Sequence, residues 1–119
     1  MNIIVQKFGG TSTRSIQTRQ NMYKHIKRSI EQGNKVVAVV SAMGRFDDPY
    51  ATDTLLLRGG NLDNYNLAEL VSCGEIISGT SLVNYLRKNK INAIFKSVYD
   101  LGLTFDDDLR LKKELLLDY

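Results

Sequence analysis

Tryptophan is absent, and cysteine, proline and histidine each occur once. The lone cysteine, Cys73, excludes an internal disulfide and fits a reducing, cytoplasmic setting. It reads as a small buried residue, since no histidine lies near it to form a nucleophilic dyad. His25 sits among Lys24, Lys27 and Arg28 and reads as exposed. No apolar run approaches the roughly 20 residues of a membrane span. The start, Met1 to Val5, lacks the basic region and cleavage site of a signal peptide and reads as a strand. A dense basic stripe with interleaved aromatics is also missing. The net charge of +3 is spread over separate clusters, which argues against nucleic-acid binding. Neither a glycine loop ending in Lys-Ser/Thr nor a Gly-x-Gly-x-x-Gly motif occurs. Asp106, Asp107 and Asp108 are adjacent carboxylates that cannot all face one ion, so no metal site is expected. There is no internal repeat and no low-complexity tract.

What is present is an ordinary globular composition, 43% hydrophobic and 24% charged, in 119 residues. That length allows one domain at most. Residues 2–8 read as a strand buried on both faces, and Lys35 to Val40 as a second. Between them, residues 13–32 read as a helix with Met22, Tyr23, Ile26 and Ile30 on one stripe, stopped by Gly33-Asn34. Strand, helix and strand make a right-handed βαβ unit with a parallel sheet. Thr52-Asp53 caps a short helix through Leu55-Leu56-Leu57. Arg58 to Tyr65 reads as a loop. Asn66 to Asn89 reads as a long helix, apolar around most of its circumference. Ile91 to Ser97 is a third strand, Asp100 to Asp108 a polar loop, and Leu109 to Tyr119 a last helix. The absence of a stop signal after it suggests a chain that continues.

Three places carry candidate chemistry. Lys7 closes the first strand and precedes Phe8, Gly9, Gly10, Thr11 and Ser12. A buried strand-end lysine needs an anion, whereas one that snorkels to solvent needs nothing. The two glycines permit close backbone approach or positive φ, both of which suit a phosphate nest, although two glycines also make a plain turn. Ser41 to Gly44 ends the second strand. In a parallel sheet the two strand ends meet in one crevice, where open α/β sheets bind ligands. Glu75 follows Gly74 within the apolar helix. It requires a cation, namely Lys7, an arginine or a substrate ammonium, unless it lies on a polar edge. Gly74 costs about 1 kcal/mol against alanine in a helix interior, so it signals close packing.

Lys7-Phe8-Gly9-Gly10-Thr11-Ser12, Val40-Ser41-Ala42-Met43-Gly44 and Ser72-Cys73-Gly74-Glu75-Ile76-Ile77-Ser78, in this order and spacing, resemble the amino-terminal part of the aspartokinases. These are members of the amino-acid kinase superfamily. Asp48 to Leu56 looks like the variant in Gram-positive, single-function, diaminopimelate-sensitive enzymes. The resemblance implies a three-layer αβα sandwich with a mainly parallel sheet, of which residues 1–119 are the amino-terminal portion. It implies transfer of the ATP γ-phosphate, with Mg²⁺, to the side-chain carboxylate of L-aspartate. Lys7 would stabilise the transferred phosphoryl group. Phe8, Gly9, Gly10, Ser41 and Gly44 would hold phosphates. Thr11, Ser12, Thr52 and Glu75 would line the aspartate site, with Glu75 receiving the ammonium. A homo-oligomer is expected. Aspartokinases continue well beyond a chain of this length, so this one is expected to be an inactive fragment of such an enzyme. The alternatives are a kinase of another small carboxylate or carbamoyl acceptor and a non-catalytic assembly module. Thr13 and Arg14 depart from the small apolar continuation usual after Thr-Ser.

Overall fold

A computed structural model describes residues 1–103. The elements run β1 (Ile3–Phe8), α1 (Gly10–Thr13), α2 (Ile16–Glu31), β2 (Lys35–Val40), α3 (Thr52–Gly59) and α4 (Asn64–Lys88). β1 and β2 pair in parallel from Ile3–Lys35 to Phe8–Val40. Both strands fall where the β-branched runs placed them, and the α/β class with a parallel sheet is the expected one.

The helix expected over 13–32 is divided. Ser15 caps α2, accepting the Thr18 backbone N–H at 3.2 Å, while the Ser15 N–H donates to Thr18 Oγ1 at 3.0 Å. This reciprocal cap satisfies two amides that a continuous helix would bond internally, and it breaks the helix after α1. At the other end Gly33 adopts φ 83° and turns the chain into β2.

α2 and α4 cover one face of the sheet. Met22 and Ile26 from α2 and Leu82 and Leu86 from α4 form the buried cluster. Phe8, Val36, Ala38, Val40, Tyr23, Ile91 and Ala93 pack against it. Tyr23 and Tyr85 add an edge-to-face contact with ring centroids 6.0 Å apart.

The other face departs from expectation. Ile3, Val5 and Lys7 alternate with the inward residues of β1, and Val37 and Val39 do so on β2. Ile3 and Val5 are both 66% exposed. Among the described residues the strands are therefore buried on one face, and two of the three expected layers are present.

Five further expectations are corrected. Residues 91–97 pair with no strand. Ile91, Ala93 and Phe95 alternate inward, yet this segment lies against α4, where Arg87 Nε donates to the Ala93 carbonyl at 2.8 Å. Helices occupy half of 58–65, leaving 60–63 as the connection, because Asp63 caps α4 by accepting the Asn66 N–H at 3.0 Å. Ala51, not Thr52 or Asp53, is the N-cap of α3, and no side chain caps it. Cys73 is exposed because its position on α4 faces away from the buried line through Gly74, Ser78, Leu82 and Leu86. That single buried line also corrects the reading of α4 as apolar nearly all round. His25 is exposed, as expected. The helix expected over 109–119 lies outside the described residues, as does the polar stretch from 104 to 108. Among the described residues no helix is long and apolar enough to cross a membrane.

Candidate functional site

The ends of β1 and β2 meet, as parallel pairing requires. The Ser41 N–H donates to the Phe8 carbonyl at 3.1 Å, extending the ladder past the strands. One step on, the Gly44 N–H donates to the Gly10 carbonyl at 2.9 Å. The loops after the two strands are thus joined backbone to backbone.

The glycines divide the work differently from the sequence reading. Gly9 has ordinary extended geometry, and a Cβ there would meet nothing within 4 Å. Neither Gly9 nor Gly10 has positive φ. Gly10 is required by space, since a Cβ would stand 2.6 Å from the Gly44 carbonyl oxygen and 3.0 Å from that of Ala42. Positive φ is found instead at Gly44, at 89°, where a Cβ would also strike the Asp48 side chain.

α1 begins at this junction with Gly9 as its N-cap. The Gly10 and Thr11 amides lie in its first turn, where a helix has no internal acceptors. The Ser12 N–H is taken by the Gly9 carbonyl, and Thr13 Oγ1 donates to the Gly10 carbonyl. Thr11 and Ser12 line a cleft of about 340 Å³ with Phe8, Thr18, Asn21, Met22 and His25.

Lys7 is exposed, the solvent-reaching one of its two alternatives. Its register partner on β2 is Val39, so its side chain belongs to the open sheet face. Glu75 is half-buried on α4, on the layer covering the opposite face. Neither makes an ion pair or a side-chain hydrogen bond among the described residues, so a direct Lys7–Glu75 pair is not formed.

Gly74 brings Glu75 to the second loop. A Cβ at Gly74 would stand 2.6 Å from the Tyr50 carbonyl oxygen, 2.9 Å from Ala42 Cβ and 3.1 Å from a Leu55 methyl. Ala42, Ala51 and Leu55 are buried at this contact. Thr52, half-buried, starts α3 beside it. The expected site residues therefore form two groups. Gly9, Gly10, Thr11, Ser12, Ser41 and Gly44 gather at the strand ends, while Thr52 and Glu75 flank the α3–α4 contact. Ala42, in the second loop, links them.

This contact decides a sign. Alanine normally stabilises a helix interior by about 1 kcal/mol over glycine. At Gly74 the methyl would press on a backbone carbonyl, so Gly74→Ala is expected to destabilise by about 1–3 kcal/mol, measured by urea unfolding.

Sequence reading missed Arg14 and Asp48. Arg14 Nε lies 2.9 Å from Asp48 Oδ2. The Arg45 N–H donates to the same Asp48 oxygen at 2.8 Å. Thirty-four positions separate the partners, so no local pattern marks the pair. The Arg45 backbone N–H, and then the Arg14 guanidinium, hold the Asp48 carboxyl below the ordinary carboxylate range. Backbone N–H groups do the same for Asp63 at Asn66 and for Asp100 at Ser97. Each ionised form is favoured in the fold, so its contribution is complete above the unfolded value of about 3.9 and lost as pH falls through the lower folded value. The melting temperature is expected to stay level from about pH 7 to 5 and to fall below about pH 4, followed by circular dichroism.

Comparison with known proteins places these loops in context. The model of the amino acid kinase family matches residues 2–118. The chain is 50% identical over 111 residues to Aspartokinase 1 of Bacillus subtilis, covering 90% of this chain and 28% of that protein. It is 34% identical over 111 residues to the aspartokinase of Geobacillus stearothermophilus, covering 90% of this chain and 26% of the relative. The crystal structure of aspartate kinase from Synechocystis superimposes with a TM-score of 0.66 at 36% identity, covering 79% of this chain and 16% of that one. The chain thus spans about a quarter of the length of these curated relatives.

Proposed function

Since this chain belongs to the amino acid kinase family, we propose that it is the amino-terminal portion of an aspartate kinase catalytic domain. The reaction would be attack of the L-aspartate side-chain carboxylate on the γ-phosphorus of ATP. The bond to the β–γ bridging oxygen breaks, and ADP and 4-phospho-L-aspartate leave, the opening step towards lysine, threonine and methionine. The observation that carries this reading is the backbone junction of Gly10 with Gly44, which joins two strand-end loops at the carboxyl edge of a parallel sheet.

Each residue has a chemical task. Lys7, with no anion of its own among the described residues, is free to offset charge on the transferred phosphoryl group. The Gly9, Gly10 and Thr11 amides at the start of α1 hold phosphate oxygens, while Phe8, Ser41 and Gly44, bonded backbone to backbone across the junction, fix the loops that present them. Thr11, Ser12 and Thr52 supply hydroxyls to the acceptor. Glu75 offers an unpaired carboxylate to the substrate ammonium. Mg²⁺ accompanies ATP and offsets charge on its phosphates.

The open face formed by Ile3, Val5, Val37 and Val39 supports self-association of the chain in a cytoplasmic setting. Light scattering tests it, and a monomer at tens of micromolar would reject it. The site reading is tested by amide chemical shifts. Inorganic tripolyphosphate is expected to move Gly9, Gly10 and Gly44, and L-aspartate to move Thr52 and Glu75. Shifts confined to the separate cleft of Ile16, Arg19, Ser81, Asn84, Tyr85 and Lys88 would overturn it.

A further inference from the structure

We propose that Arg14 and Asp48 form a positioning clamp that holds the second strand-end loop against the first and so fixes the position of the phosphate-holding amides at the start of α1. This deepens the kinase reading above and rests on it. The geometry is a closed circuit. Gly10 opens α1, and Arg14 follows directly after α1. The Arg14 guanidinium meets the Asp48 carboxylate at two points, Nε to Oδ2 at 2.9 Å and Nη2 to Oδ1 at 3.3 Å. Asp48 binds back to its own loop, accepting the Arg45 N–H at 2.8 Å and donating its N–H to the Arg45 carbonyl at 2.9 Å. Its side chain also fills the space beside Gly44 that a Cβ would need. Gly44 then closes the circuit by donating to Gly10 at 2.9 Å.

Most surface ion pairs contribute little, because two long side chains must be ordered in water. This pair differs in form. It is a two-point guanidinium–carboxylate contact, the arrangement with the greatest directional strength. One partner is further fixed by backbone bonds. It also joins the two segments whose backbones meet at Gly10 and Gly44. Neither side chain is among the groups assigned to phosphate or acceptor, so both are positioning residues.

The test uses the 119-residue chain, with inorganic tripolyphosphate as the probe. Gly44 amide exchange reports loop docking, and calorimetry reports affinity. R14M is expected to speed Gly44 exchange about fivefold and to weaken tripolyphosphate binding by a similar factor. Arg14 is more than half exposed, so this variant leaves the core intact. D48N separates positioning from charge. A clamp predicts that it weakens tripolyphosphate binding, whereas a purely electrostatic role predicts tighter binding once a negative charge is removed. Unchanged Gly44 exchange in both single variants, or tighter binding by D48N, overturns the clamp. Wild-type chain that fails to bind tripolyphosphate, with variants that still speed exchange, overturns the phosphate reading while the loop clamp stands.

Discussion

Leu82→Ala is expected to lower the stability of the chain by about 2–5 kcal/mol. Leu82 is 5% exposed and lies in the cluster that ties α2 and α4 to the sheet. Removing its side chain forfeits the transfer free energy of the lost atoms. It also leaves a cavity between Met22, Ile26 and Leu86, which are themselves held by two helices. Whole domains are stable by only about 5–15 kcal/mol, so this one change removes a large share. The open sheet face gives no compensation, because Val5 and Val37 are already in water. Urea unfolding measures the effect. Leu57→Ala is the control, since Leu57 is 71% exposed and its loss should stay within about 0.5 kcal/mol. Equal losses at the two positions would mean that α4 is not packed as described.

Lys7→Met is expected to have the largest effect on chemistry and almost none on folding. Positioned charge stabilisation in a transition state is typically worth about 10²–10³ in turnover. Methionine keeps most of the apolar stem and removes the ammonium. Because Lys7 is exposed and makes no ion pair among the described residues, its loss breaks no folded-state contact. The measurement is turnover of ATP with L-aspartate, in a polypeptide where this chain replaces the matching segment of a full-length relative. A fall of about two to three orders of magnitude in kcat, with unchanged melting temperature, is the expected result. A folded K7M protein with undiminished kcat would remove Lys7 from the chemistry.

Much of the fold was legible because periodicity is local. The β-branched run Lys35 to Val40 and the apolar stretch ending at Phe8 gave both strands their bounds. The stripe through Met22 and Ile26 gave α2 its buried face. What was not legible depends on partners distant in sequence. The run from Ile91 to Ser97 has a strand's alternation, but a strand also needs a neighbour to bond, and α4 lies there instead. Cys73 sits one residue before the buried Gly74, and a step of 100° on a helix exchanges core for solvent. Ser15 was overlooked because its reciprocal cap uses Thr18 where the familiar pattern has glutamate or glutamine.

The candidate site follows the same division. The convergence of two strand ends is a consequence of parallel pairing and was readable from the strand pattern. Which glycine is sterically required was not. Gly9 and Gly10 look equivalent in sequence, yet only Gly10 faces the Gly44 and Ala42 carbonyls. Gly74 was readable as a packing residue because glycine is otherwise unfavourable inside a helix. Arg14 stood out only as a departure from the usual continuation, and its partner Asp48 became visible once the two loops were in place.

The proposed function assigns the acceptor and phosphate residues of an aspartate kinase to this chain. Its most direct test is ADP release by the same full-length hybrid, given L-aspartate and, separately, a panel of other small carboxylate and carbamoyl acceptors. Release that depends on L-aspartate is expected, with Glu75→Gln raising KM for aspartate more than it lowers kcat. Release with a different acceptor and none with aspartate would contradict it.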